Sequence, residues 1–283
     1  MQGGAWTETV LYTFSLSDGS GPIGGLIFDQ AGNLYGTTAG GGPGKGGNVF
    51  KLTPPATSGG SWTFTILHNF NSSTSSTAYA GGCGPNANVT LGPNGSLYGT
   101  TSYCGANGGG VVFKLSPPAN GHTGWQETVL HTFGPANTLG DGALPRGGVI
   151  VGKGGVLFGT TSQGGTHYGG IAYELFPPVT SGGAWTEQIL TSFTGGTVGY
   201  QAWGNLVLNS NGALYGVTAA SNLYKLTPPA ISGNPWTETV LCTFGGSNGS
   251  VPLAGVLQLN GALYGATSTG GPDSFGTVYE ITF

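Results

Sequence analysis

The apolar residues of this chain fall into two kinds of short run that recur in a fixed order. One is an alternation opened by tryptophan: in WTETVLYTF, Trp6, Val10 and Phe14 are set off by Thr7, Thr9 and Thr13, the period of two of a half-buried strand. It returns as WTFTILHNF from Trp62, WQETVLHTF from Trp125, WTEQILTSF from Trp185 and WTETVLCTF from Trp236. The other is a compact apolar run ending in a turn: GLIFDQAGN from Gly25, NVTLGPNGS from Asn88, GVIVGKGGV from Gly148, NLVLNSNGA from Asn205 and GVLQLNGA from Gly255. Apolar and β-branched runs broken by Asn, Gly and Pro mark hairpins between buried strands. Each leads into one phrase, Leu34-Tyr35-Gly36-Thr37-Thr38 and its copies at Leu97, Leu157, Leu214 and Leu263. A Gly-rich loop and a further strand follow (NVFKL, VVFKL, IAYEL, NLYKL, TVYEI), ended in four copies by Pro-Pro, which cannot donate to a ladder.

A period of roughly 50 to 60 residues containing four strands, A, B, C and D, decides the architecture ahead of any local propensity. The connections are too short for crossover helices. The expected fold is therefore all-β, a five-bladed β-propeller with four antiparallel strands per blade. The blades fall at about 22–70, 83–133, 144–193, 201–244 and 251–283 of a single domain spanning 1–283. A sandwich or barrel leaves the four-strand period unexplained. The first D phrase precedes the first A, so strand 6–14 is expected to pair with TVYEITF at 277–283 and close the ring.

Composition narrows the function. There are 59 Gly, 31 aromatic residues (13 Phe, 6 Trp and 12 Tyr) and only 16 charged ones (10 acidic, 6 basic), a formal charge of -4. So few basic groups leave no footprint for nucleic acid. No apolar run approaches the roughly 20 residues of a membrane-spanning helix, so no membrane insertion is expected. A surface of Ser, Thr, Asn and Gly suits a secreted or cell-surface protein. The chain begins without a recognisable leader, so an exported form would be the mature or trimmed one.

The run GGLIFDQAGNLYGTTAGGGPGKGGNVFKLTP resembles the Gloeobacter and Verrucomicrobium tandem repeat, the GloVer repeat of extracellular bacterial proteins. The likeness extends over all five units, although AASNLYKL lacks the Gly-rich B-to-C loop and Val217 and Ala266 replace the first Thr. It implies a secreted or surface-attached propeller and no particular activity.

Chemistry is then sought in the long loops, D-to-A and B-to-C, which a propeller gathers on one face. The D-to-A loops enter strand A through proline (Ala202 in unit four) and then a variable residue: Ile23, Asn86, Arg146, Trp203 or Leu253. A constant scaffold with one changing residue is the pattern of site residues around a channel mouth; the plain alternative is a plug. Arg146 and Trp203 offer planar hydrogen bonding and a stacking face suited to sugars. The B-to-C loops add Tyr103, His167, Tyr168 and Asp273, and a D-to-A loop adds Asp141. The expected ligand-binding set is therefore Asn86, Tyr103, Asp141, Arg146, His167, Tyr168, Trp203 and Asp273.

No catalytic set is assigned. Glycoside hydrolysis needs two carboxylates about 5–10 Å apart, and the inner strands carry only Asp29, at an A-to-B turn. Glu8, Glu127, Glu187 and Glu238 share one position of strand D and read as charges guarding an outer edge. The four His residues give no metal-ligand spacing, with His68 and His131 on different blades and His122 at the far face; no cofactor is indicated. Cys83 and Cys104 flank strands A and B of one blade, where a disulfide is feasible, and Cys242 stands alone. The expected function is a binding or recognition module for a glycan or other neutral polar ligand. Two alternatives stay open: a structural block of an extracellular layer or filament, and a hydrolase or lyase assembled from Arg146, His167, Asp141 and Asp273.

Overall fold

In a computed structural model, residues 6–72, 80–119, 123–136, 139–180, 182–194, 200–231 and 233–282 are described. They form five antiparallel sheets, one per repeat. The first holds β1 (Ile27–Phe28), β2 (Leu34–Thr38), β3 (Lys45–Thr53) and β4 (Thr63–Asn71) in that order. The second holds β5 (Thr90–Leu91), β6 (Leu97–Thr101), β7 (Val111–Ser116) and β8 (Gln126–Thr132). A two-residue strand, β9 (Gly142–Ala143), precedes the third, made of β10 (Ile150–Val151), β11 (Leu157–Thr160), β13 (Ile171–Phe176) and β14 (Thr186–Ser192); β12 (Gln163–Gly164) pairs with β9 in a small sixth sheet. The fourth holds β15 (Val207–Leu208), β16 (Leu214–Thr218), β17 (Asn222–Thr227) and β18 (Thr237–Thr243). The fifth has three strands, β19 (Leu257–Leu259), β20 (Ala262–Thr267) and β21 (Thr277–Thr282).

The Gly and Thr letters of the repeat's constant phrase each have a physical cause. Its Gly lies under an aromatic ring of the next strand: a Cβ on Gly36 or Gly99 would sit 2.6 or 2.5 Å from the Phe50 or Phe113 ring. On Gly159, Gly216 and Gly265 it would meet the hydroxyls of Tyr173, Tyr224 and Tyr279 at 2.3–2.4 Å. Only hydrogen fits there. The second Thr accepts an amide of the returning strand, as Asn48 N to Thr38 Oγ1 (3.2 Å), Val111 N to Thr101 Oγ1 (3.2 Å) and Ile171 N to Thr161 Oγ1 (3.1 Å). Asn222 N to Thr218 Oγ1 and Thr277 N to Thr267 Oγ1 complete the set. The first Thr reaches across to the following repeat in two units: Thr37 Oγ1 donates to Ala87 O and Thr100 Oγ1 to Gly147 O.

Successive sheets pack face to face. One cluster joins Tyr35, Val49, Leu67 and Phe70 of the first repeat to Leu97, Phe113 and Leu115 of the second. The same arrangement recurs between the second and third, third and fourth, and fourth and fifth. At each junction a Phe closing one Trp phrase meets an aromatic of the next sheet: Phe70–Phe113 and Phe133–Tyr173 at 5.2 Å, Phe193–Tyr224 at 5.1 Å, Phe244–Tyr279 at 4.5 Å.

Residues 6–14 depart from expectation. They form no strand, and among the described residues no ladder joins them to β21. They pack instead on the first sheet, where Leu11, Tyr12 and Phe14 cover Leu34, Phe50 and Leu52, with Phe14 5.1 Å from Phe50. Tyr12 stacks on Phe64 at 4.2 Å. The segment thus takes the packing position of an outer strand ahead of the first sheet without its ladder. The reason is that its apolar face docks on the first sheet by itself, whereas pairing needs the β21 edge alongside. In this arrangement Val278 of β21 is 87% exposed and Trp6 101%.

Candidate functional site

The D-to-A and B-to-C loops meet at one end of each sheet. Bridges Ser20–Gly40, Cys83–Tyr103, Ala202–Thr218 and Ser250–Thr269, with the β9–β12 pair, tie the two loops in every repeat. The residue before each proline, or before Ala202 in the fourth repeat, has a positive φ: Gly21 (65°), Gly84 (68°), Leu144 (55°), Gln201 (61°) and Val251 (54°). All five are held at the carbonyl by equivalent bonds, and three of them at the amide by equivalent backbone bonds as well. The amides of Gly84, Leu144 and Gln201 donate to Gly46, Gly109 and Gly169 of the preceding repeat, each at 2.8 Å, and their carbonyls accept from Ser102, Ser162 and Ala219. The carbonyls of Gly21 and Val251 accept from the Ala39 and Ser268 amides. This turn delivers the residue two positions on, Ile23, Asn86, Arg146, Trp203 or Leu253, to the same place in each repeat.

At three of these junctions the side chains converge. The Arg146 guanidinium lies over the Trp203 indole, 4.9 Å from its centroid, and 5.8 Å from the Tyr103 ring. Arg146 Nη2 donates to Tyr103 Oη at 3.2 Å. Asn86 stands alongside, its Nδ2 donating to Ser102 Oγ (2.7 Å), which donates to Pro145 O (2.7 Å). Arg146 Nε and Trp203 Nε1 are buried and have no acceptor among the described residues. The result is a cation placed over the Trp203 ring and beside Tyr103, which is 43% exposed.

The other expected residues lie elsewhere. His167 and Tyr168 sit in the β12–β13 loop, where Thr166 Oγ1 contacts His167 Nδ1 at 2.9 Å and Tyr168 is 51% exposed. Asp273 is exposed in the β20–β21 loop. Asp141 turns away from Arg146 toward a junction between sheets, described below. His122 lies outside the described residues.

A model of the Gloeobacter/Verrucomicrobia repeat matches residues 1–227 and 85–283, together the whole chain. The chain belongs to this repeat family. No curated protein matches it. Among solved structures it is similar to a Thermus thermophilus protein assigned as an oxidoreductase (glucose dehydrogenase), at 16% identity and a TM-score of 0.55, over 97% of this chain and 86% of that one. At that identity the likeness concerns the fold alone.

In this repeat-family protein Glu127, Glu187 and Glu238 of the Trp phrase are not edge guards, and Glu8 is exposed on a segment that forms no strand. Glu127, Glu187 and Glu238 are half-buried and face the preceding outer strand. Their partners there share one position: His68 Nε2 is 3.4 Å from Glu127, His131 Nε2 is 3.6 Å from Glu187, and Thr191 Oγ1 donates to Glu238 at 2.8 Å. Burial pushes Glu127 and Glu187 up to about 7 and raises Glu238. Burial also lowers His68. Burial opposes charge on His131 as well, but Asp141 and Glu187 beside it raise it overall.

Asp141 Oδ1 is 3.6 Å from His131 Nε2, which gathers His131, Asp141 and Glu187 with ligand atoms all within 4.8 Å. Spacing along the chain could not reveal this group, because its members come from two repeats and a loop. The usable signal was the shared strand position of His and Glu in neighbouring units. Cys83 and Cys104 form a disulfide, and Cys242 is free.

Proposed function

We propose that this protein is a secreted or surface-attached binding module, a five-bladed propeller that takes a glycan or other neutral polar ligand at the loop end, around Tyr103, Arg146, Trp203 and Asn86. The observation that carries the reading is the Arg146 guanidinium laid over the Trp203 indole beside the Tyr103 hydroxyl. Sugars present flat C–H faces and paired hydroxyls, which an aromatic face and a planar donor can engage together.

Ring closure is part of the proposal. Val278 sits opposite Ala266 as Val49 sits opposite Thr37 and Val112 opposite Thr100, and Val49 and Val112 are fully covered by the next sheet. The first sheet offers a matching face, partly filled by residues 11–14. Export is supported by the Cys83–Cys104 disulfide, a bond of oxidising compartments. The enzyme reading is less well supported, since Asp141 accepts from the Gly134 and Gly142 amides and faces His131, away from Arg146.

A glycan array probed with the folded protein tests the reading. Binding to a defined set of glycans is expected, and it should be lost in Arg146→Ala and Trp203→Ala. A well-folded protein that bound no glycan would refute the lectin reading and leave the structural one.

A further inference from the structure

We propose that His131, Asp141 and Glu187 bind one divalent transition-metal ion, Zn2+ by preference, at the junction of the second and third sheets. The site is separate from the Arg146 cluster. His131 Nε2 stands 3.6 Å from Asp141 Oδ1 and 3.6 Å from Glu187 Oε1. Both distances are too long for hydrogen bonds. They match the separation of neighbouring ligands on a tetrahedral ion, about 3.4 Å for bonds of about 2.1 Å. His131 Nε2 and Glu187 Oε1 are buried with no hydrogen-bond partner among the described residues. Two carboxylate oxygens and a ring nitrogen thus gather within 4.8 Å of one another.

The surroundings fit a held ligand set. The Gly134 amide donates to Asp141 Oδ2 at 2.8 Å and the Gly142 amide to Oδ1 at 2.6 Å, so the carboxylate is fixed before an ion arrives. The Asp141 side chain is 29% exposed, which gives an ion a way in. One nitrogen and two oxygen ligands suit a borderline cation and leave a fourth position for water.

The repeat supplies its own comparison. The His68–Glu127 pair occupies the same two positions one junction earlier, but there Gly81 lies against the glutamate, where a Cβ would be 2.4 Å from Glu127 Oε2. The next junction has Thr191 in place of the histidine. Asp141, from the loop between β8 and β9, is what turns one pair into a three-ligand site.

Tag-free protein stripped with chelator and titrated with Zn2+ in a calorimeter tests this. The wild type should take up one Zn2+ per chain at micromolar Kd or tighter, and its Tm should rise by roughly 5 °C at a hundredfold excess over Kd. Asp141→Asn and Glu187→Gln keep the shape and should each weaken binding at least tenfold, while His68→Gln should change nothing. X-ray absorption on the Zn2+-loaded wild type should show nitrogen and oxygen ligands only, so the assignment does not depend on the variants folding. No Zn2+ uptake by folded wild type would mean that a protonated His131 is simply clamped between two carboxylates. Sulfur at the metal, or undiminished binding in both carboxylate variants, would also overturn the site.

Discussion

Thr101 shows how one hydroxyl organises a repeat, since it accepts the Val111 amide and donates to Tyr103 O, tying the start of the return strand to the loop that carries Tyr103. Thr101→Val keeps the shape and leaves a buried amide unpaired, a cost of about 1–3 kcal/mol, so Tm in a thermal melt should fall by several degrees. An unchanged Tm would show that the hydroxyl is replaceable. Gly99→Ala should cost at least as much, because the new methyl would meet the Phe113 ring at 2.5 Å. The Leu-Tyr-Gly-Thr-Thr phrase was legible in the sequence as a repeat, but its reasons were not. Glycine read from sequence suggests a turn, whereas here it makes room under a ring on a neighbouring strand. Arg146 and Trp203 were legible as site residues because a fixed scaffold around a changing residue survives in one dimension. Which of the eight converge was not, since that depends on side-chain reach across junctions.

Strands B, C and D were legible from their period and their proline ends, and strand A shrank to two or three residues because only its tip joins the ladder. The glutamates on D were misread for a physical reason: alternation tells which residues share a face, not whether a neighbouring sheet covers that face. Their burial has a measurable consequence at Glu127, which is pushed up to about 7. A carboxyl raised in the folded state gives stability that is full below its ordinary value near 4.5 and is lost as pH climbs through 7. Between pH 4.5 and 8 the wild type should therefore lose on the order of 2 kcal/mol relative to Glu127→Gln. His68 lies 3.4 Å from this carboxyl and titrates with it, so the difference in Tm against pH reports the pair. Parallel curves would show Glu127 to be ionised in place.

At the scale of the whole molecule, five packed sheets follow from the repeat, while ring closure depends on two ends that only tertiary structure can bring together. If the ring closes, Val278 is covered like Val49, and Val278→Asp should cost about 3 kcal/mol or more, as a buried unpaired charge does. If β21 stays open, the substitution should be silent in a melt. Removing residues 1–14 should lower Tm as well, because Leu34, Phe50 and Leu52 lose their cover. The binding reading rests on the loop end that this architecture assembles from separate repeats. Its most direct test is the affinity of the best array glycan for wild type, Arg146→Ala, Trp203→Ala and His167→Ala, measured by titration calorimetry. Losses of at least tenfold in the first two variants and none in the third are predicted; equal affinity in all four proteins would contradict the assignment.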